Sequence, residues 1–441
     1  MSGTGETDAG TAAAEPDNQL EVGDPFEAAD VRTLQRKSVG VLGGSQVLGG
    51  VAVAGSLPAG ALIAESISGS EAAAGLAQTF GVVGAALLAL PLARVALSRG
   101  RRAALAGGYF LGSLGSIIVI AGAVYRSLAI VYAGCLFVGV ASAAGLQARY
   151  AATDLASANR RARSLSIVVW GATIGAVAGP NLLDISGRWA QSLGLPPLAG
   201  PYLVAAVVCG VTVGLLLVFL RPDPYRESLR LRRDIDPGVS RPRIRDGIEH
   251  LKNRPRAVLG IGAVAIGHVA MVMVMVMTPV HMAHVDVSLQ LIGLVISVHV
   301  AGMYALSPLV GMAVDRFGRL TVIGAGVVIL LTACAVSGLA PADDVALGIG
   351  LFLLGLGWSC TLIAGSTLVT DEVDPPERPA VQGLSDLTMN VAGALGGVVA
   401  GVVVWLASYQ VLTAVAAIPV VALAVWASIP ACRRHSNTRS M

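Results

Sequence analysis

The sequence predicts an all-α membrane protein with twelve transmembrane helices in two pseudo-symmetric six-helix bundles. Three observations carry that prediction: a composition no water-soluble fold has, twelve apolar runs of spanning length, and an internal repeat dividing them six and six. Of 441 residues, 55% are hydrophobic and only 13% charged, with a mean hydropathy of +0.74. Soluble domains carry about a quarter charged residues. The 54 glycines and 5% aromatics suit closely packed membrane helices. A net charge of +3 is too small to point to nucleic acid. Cys135, Cys209, Cys334, Cys360 and Cys432 do not cluster, and four lie inside apolar runs, which excludes a disulfide scaffold.

A hydrocarbon core of about 30 Å takes roughly 20 residues of helix. Runs of that kind occupy about 39–64, 72–97, 104–124, 127–149, 164–184, 200–220, 257–280, 289–313, 320–340, 345–369, 382–407 and 409–430. Residues 1–37 carry eight acids among Gly, Ala and Thr and read as a disordered tail with no cleavable signal. The bundles are expected at 38–220 and 257–430, the basic linker at 221–256, and a second tail at 431–441. Of the 30 Lys and Arg, 26 fall on the side of the chain ends and linker, eleven of them between Arg221 and Arg256. That asymmetry predicts a multi-pass protein of the cytoplasmic (inner) membrane with both termini cytoplasmic. Pro222, Pro224, Pro237, Pro242 and Pro255 break the linker, leaving room for one amphipathic helix at 244–253. It reads as a tether, and its basic character also suits anionic headgroups.

The halves match at an offset of about 217 residues. Thr153 and Asp154, followed by Arg161, correspond to Thr370 and Asp371, followed by Arg378; Gly100 and Arg101 correspond to Gly318 and Arg319; Pro58 corresponds to Pro279. Repeated six-helix halves are the mark of transporters that bind substrate between the repeats, near the bilayer midplane.

On these residues the chain resembles the major facilitator superfamily over 38–430. The most specific stretch is 311–319, with Gly311, Asp315, Arg316, Gly318 and Arg319 at the positions of the superfamily's loop signature. The glycines permit a tight turn and close helix approach. Asp315 can accept hydrogen bonds from a neighbouring helix start, a latch that breaks as the halves rock. In the first half the signature is degraded, with Leu97 and Ser98 at the Asp and Arg positions, although Gly100, Arg101 and Arg102 remain. Gly171, Gly175, Gly179 and Pro180 resemble the family's antiporter motif, but small residues at every fourth position also simply let helices pack closely. Leu183 and Asp184 stand where that motif has glycines.

Polar groups inside spans are functional candidates by default. The first half offers Gln46 and, near helix ends, Arg94, Arg149 and Asp184; the second offers His268, His299, Asp386 and Asn390. Proton coupling is assigned to Asp386 and His299. Five of the ten methionines, Met271, Met273, Met275, Met277 and Met282, fall within twelve residues. On a helix His268, Met271 and Met275 share one face, while Met273 and Met277 point away. On the next span His299 and Met303 form another same-face pair at similar depth. Thioether and imidazole suit Cu(I). Met271, Met275, His299 and Met303 are therefore candidate metal ligands, with His268 beside them; a Met-lined cavity for an amphipathic organic compound is the competing reading.

This pattern resembles the superfamily's bacterial copper importers, which carry two methionines four apart before a proline kink, then His and Met four apart on the next helix. Arg149 to Asp154, followed by Gly179 and Pro180, is similar to the same branch. The resemblance implies inward movement of a soft metal ion; the alternative is proton-coupled export of a small amphipathic compound or drug. Arg149 and Asp154 join Gly311, Asp315, Arg316, Gly318 and Arg319 as the expected gate. No phosphate-binding loop or catalytic triad is present, so neither an enzyme nor ATP drive is expected. The implied partners are a small-molecule or metal-ion substrate and the lipid bilayer, with no nucleic acid, no cofactor and a monomeric protein.

Overall fold

The computed structural model describes residues 25–234, 251–284, 289–340 and 343–429, with Gly3 and Glu249. Regular structure among them is helical. The first half comprises α1 (Ala29–Ser68), α2 (Glu71–Arg99), α3 (Arg101–Val124), α4 (Leu128–Ala151), α5 (Arg161–Asn181), the short α6 (Leu183–Ser192) and α7 (Gly200–Phe219). A linker helix, α8 (Pro224–Arg233), precedes α9 (Pro255–His284), α10 (Leu289–Tyr304), α11 (Ser307–Phe317), α12 (Arg319–Leu339), α13 (Asp344–Glu372), α14 (Arg378–Leu406) and α15 (Tyr409–Ser428). Among the described residues, twelve helical segments are long and apolar enough to cross a membrane. They form two six-span bundles, and the arginine-rich connections share one face, called here the basic face.

Three features depart from the sequence reading. Helix α1 starts at Ala29, inside the stretch assigned to the tail. Phe26 and Val31 bury against Leu155, with Leu34 and Leu231 alongside, so a few apolar residues anchor an otherwise acidic segment. The eighth span is not continuous but breaks between α10 and α11 at Ala305 and Leu306. Pro308, at the start of α11, has no N–H to give the Tyr304 carbonyl one turn earlier, and its ring crowds that carbonyl. The linker contains α8, whose N-cap Asp223 accepts hydrogen bonds from the Tyr225 and Arg226 N–H groups, both at 3.1 Å. The amphipathic helix expected at 244–253 lies outside the described residues, apart from Glu249 and a 3-10 turn, Leu251–Asn253.

The glycines of α5 serve packing. Gly171, Gly175 and Gly179 face Gly43, Gly50 and Gly55 of α1, and a Cβ on Gly175 would lie 2.5 Å from the Gly50 Cα. Lipid is as apolar as the helix surfaces, so such close backbone approach, rather than hydrophobic expulsion, joins the two helices. Gly311 of α11 makes the corresponding approach across the halves, to the Ala162 carbonyl and Ser166 of α5. Gly175→Ala is expected to destabilise the protein by about 1–3 kcal/mol through overpacking. Gly214→Ala on α7, where a Cβ meets nothing within 4 Å, is expected to be neutral or slightly stabilising. Thermal unfolding in detergent checks both; equal behaviour of the two variants contradicts the packing role.

Candidate functional site

A cavity of about 240 Å³ lies between the bundles at mid-depth. One wall is the aromatic corner of α9, α10 and α13: the Trp358 indole N–H donates to His268 Nδ1 at 3.1 Å, and Tyr304 meets Trp358 edge-on with centroids 5.6 Å apart. Met303, Leu362 and Met389 extend this wall. The other wall is polar, carrying Gln46 of α1, Tyr109 of α3, Ser142 and Arg149 of α4, with Asn390 of α14 between the two. The Tyr109 hydroxyl donates to the Ser45 carbonyl at 3.3 Å, and the Asn390 side-chain amide donates to the Asp386 carbonyl at 2.8 Å, which fixes both rotamers. A second cavity of about 180 Å³ shares Val53, Ser142 and Asn390 and continues toward the face opposite the basic one, past Gly60, Gln78 and Tyr202.

Toward the basic face the site is shut by charge. Arg149 Nη2 donates to Asp386 Oδ1 at 2.6 Å across the halves, each side chain only 1% exposed, and Arg149 Nε donates to Ser366 Oγ at 3.3 Å. Asp386 Oδ2 is buried and has no hydrogen-bond partner. One layer out, Arg101 holds Asp154 through two bonds of 2.8 and 3.3 Å and donates to Gln382 Oε1 of the other half at 2.5 Å. Burial pushes the Asp154 carboxyl above the usual carboxylate range, against the pull of the Arg101 guanidinium. In the outermost layer Asp371 accepts from Arg319 at 2.7 Å and from Arg161 of the first half at 2.5 Å. Arg319 also donates to the Ala158 carbonyl at 2.8 Å.

The repeat is visible in these pairs. Arg101 with Asp154 and Arg319 with Asp371 are the same interaction in the two halves, spaced 53 and 52 residues apart. Gly100 and Gly318, which precede the arginines, adopt φ of 92° and 90°, a conformation L side chains rarely take. Symmetry fails at Asp315. Asp315 accepts from the Ala162 and Arg163 N–H groups, at 3.2 and 2.9 Å, where α5 begins. The first half has Leu97 and Ser98 at the matching place; separately, Asp223 of the linker accepts from the Arg102 N–H at the start of α3, at 2.8 Å.

The expected metal set does not converge on the cavity. His268 and Met303 line it, but Met271, Met275 and His299 do not. His299 is fully buried with Nδ1 2.7 Å from the Leu351 carbonyl, and Met271 lies in the core of the second bundle. Met273, expected on the opposite helix face, is equally buried, against Gly396 of α14. Among the described residues no group of three or more His, Cys, Asp or Glu could hold a metal. Of the other polar candidates, Gln46, Arg149 and Asn390 reach the cavity, whereas Asp184 pairs with Arg188 at the surface and Arg94 is exposed. Arg316 points outward over Phe317, 5.4 Å from its ring. Sequence reasoning missed Trp358, Tyr304 and Gln382. Nothing in a run of apolar helix says which face meets the cavity, whereas Asp371 and Arg101 were already marked by the repeat.

Two six-span bundles around a central cavity define a transporter rather than an enzyme. The chain belongs to the major facilitator superfamily, whose family model matches residues 42–289 and again 261–439. It is 37% identical over 399 residues to the uncharacterized MFS-type transporter YddS of Bacillus subtilis, covering 89% of this chain and 91% of that protein. It is 29% identical over 359 residues to the riboflavin transporter RfnT of Brucella anthropi, covering 81% and 86%. In fold it is similar to the human organic anion transporter MFSD10 (TM-score 0.70, 17% identity, 89% of this chain and 99% of that one). The proton:xylose symporter XylE is comparably similar, with a TM-score of 0.69 and 14% identity over 90% and 95%.

If Asp315 latches the closed basic face, Asp315→Asn weakens two charge–dipole contacts worth up to about 2 kcal/mol. The population open at that face is then expected to rise up to about thirtyfold. Spin labels at the exposed positions Arg99 and Phe317, one on each half, read the change by pulsed distance measurement. A distribution identical to that of the parent protein removes the latch role.

Proposed function

We propose that the protein takes up a small planar heteroaromatic solute by alternating access, coupled to protons at Asp386. The observation that carries this reading is the cavity's chemistry: the Trp358 and Tyr304 corner offers a stacking surface, and Gln46, Asn390, Ser142 and Arg149 face it with hydrogen-bonding groups. Ligand sites built of apolar and aromatic walls with a few placed polar groups suit organic molecules. The riboflavin transporter among the relatives moves a solute of this class. One chain supplies both walls, so a monomer suffices as the working unit.

The arginine-rich face is cytoplasmic by the positive-inside rule, which puts both chain ends in the cytoplasm and the protein in the inner membrane. The gate is then closed inward. Separating Arg149 from Asp386 leaves two bare charges in a low-dielectric layer, at a cost of about 3–5 kcal/mol. A proton on the partnerless Asp386 Oδ2 neutralises the acid and lets Arg149 go. A proton that arrives through the outer cavity and opens the inner gate carries solute inward with it. The same logic favours uptake over proton-driven export. The soft-metal reading loses support because its ligands are dispersed, with His299 turned to a carbonyl and Met271 inside a bundle core.

Uptake into proteoliposomes of a panel of labelled solutes (riboflavin, a purine, a sugar and Cu(I)) tests the substrate class. A planar heteroaromatic is expected to accumulate and to quench Trp358 fluorescence. Cu(I) uptake with none from the aromatic members overturns the reading. Trp358→Leu is expected to weaken solute binding about 5- to 150-fold, since stacking on an aromatic contributes about 1–3 kcal/mol. Met271→Leu and Met275→Leu are expected to retain uptake, as volume-conserving swaps; loss at both positions returns the case to metal. Asp386→Asn is expected to abolish pH-driven accumulation while solute exchange persists. Accumulation that still follows the proton gradient in this variant rules out Asp386 as the coupling group.

A further inference from the structure

A cleft of about 270 Å³, separate from the central cavity, opens at the basic rim between the starts of α1 and α5. Four arginines line it: Arg32 and Arg36, one turn apart on α1, Arg160, and Arg163 in the first turn of α5. No acid lines it, and none of the four pairs with a carboxylate among the described residues. That sets them apart from Arg101, Arg149 and Arg161 on the same face, each of which holds an aspartate. At the back of the cleft Gln35 donates through Nε2 to the Ala152 carbonyl at 2.6 Å and to Ser164 Oγ at 3.2 Å. Its Oε1 is buried with no donor to meet it.

The side walls are apolar, formed by Val39 and Ile167. From Ile167 an exposed stripe continues along α5 through Trp170, Ile174 and Val177, toward the middle of the bilayer. A ligand that satisfies the whole cleft has an anionic head for the arginines, a hydroxyl for Gln35 and an apolar tail for the stripe. We infer that the cleft binds the headgroup of an anionic, hydroxyl-bearing phospholipid, with an acyl chain laid along α5. Basic pockets between helices at the cytoplasmic surface suit such headgroups. A free phosphate ester satisfies the arginines but leaves the stripe bare, which is why the lipid is chosen. The bound lipid sits against the helix start whose Ala162 and Arg163 N–H groups hold Asp315.

The test uses the purified full chain in neutral detergent, titrated with short-chain phosphatidylglycerol, phosphatidylcholine or glycerol 3-phosphate and followed by native mass spectrometry and thermal unfolding. One phosphatidylglycerol is expected to bind tightly and raise the unfolding temperature; phosphatidylcholine and glycerol 3-phosphate are expected to do neither. Each basic residue near an anionic lipid surface contributes about fivefold, so Arg36→Ala with Arg160→Ala is expected to weaken binding about 25-fold. The pair Arg94→Ala with Arg99→Ala removes the same charge from exposed positions on α2 and is expected to leave binding unchanged. Equal loss in both double variants means diffuse surface charge and overturns the site. Equal binding of glycerol 3-phosphate overturns the lipid. Binding that emerges only after deletion of residues 2–24 assigns the cleft to the acidic N-terminal segment and overturns the inference as well.

Discussion

The structure depends on where it keeps its buried charge. Arg149 with Asp386, and Arg101 with Asp154 and Gln382, are guanidinium–carboxylate pairs withdrawn from water at the junction of the two bundles. Neither partner tolerates that environment alone, because an unpaired buried charge is worth several kcal/mol of destabilisation. The pairs lie on the basic side of the molecule, where Arg149 reaches Asp386 and Arg101 reaches Gln382 across the halves.

Around this layer the helices are placed by what they lack. Gly50 against Gly175 and Gly55 against Gly179 bring α1 and α5 to backbone contact, and Gly302 and Gly355 do the same for α10 and α13. Such contacts are rigid, so each bundle can rock as a body. Across the bundles the approach of Gly311 to α5 is equally close, and it sits beside the Asp315 latch. Packing and charge thus meet at one point of the basic rim, where α11 of one half packs on the start of α5 of the other.

The two halves share a plan and diverge where function needs asymmetry. Equivalent arginines hold equivalent aspartates, and equivalent glycines turn the chain before them. The cavity, by contrast, is uneven: the Trp358 and Tyr304 corner comes from the second half, and Gln46, Tyr109, Ser142 and Arg149 come from the first. The linker also touches both halves. Asp223 accepts from the Arg102 N–H at the start of α3, and the Tyr225 hydroxyl donates to the Pro376 carbonyl of the second half at 2.8 Å. A segment that reads as a tether is hydrogen-bonded to both halves.

The sequence by itself determined the class and the number of spans, because each has a one-dimensional signal. Apolar run length reports bilayer thickness, and the 311–319 stretch reports the family. The offset between Asp154 and Asp371 reports the pseudo-symmetry that Arg101 and Arg319 display in space. Even the broken eighth span had its signal in Pro308. What only the tertiary structure decided is which side chains look into the cavity. Met271, Met273 and Met275 are alike in type and neighbours in sequence, yet their environments are set by the rotation of α9 against α13 and α14. The same rotation turns His268 toward Trp358 and the cavity, and packing of α10 on α13 turns His299 to the Leu351 carbonyl. Helical periodicity fixes which residues share a face but not where that face points; in lipid, where every face of a span is apolar, only the packed neighbours supply that direction.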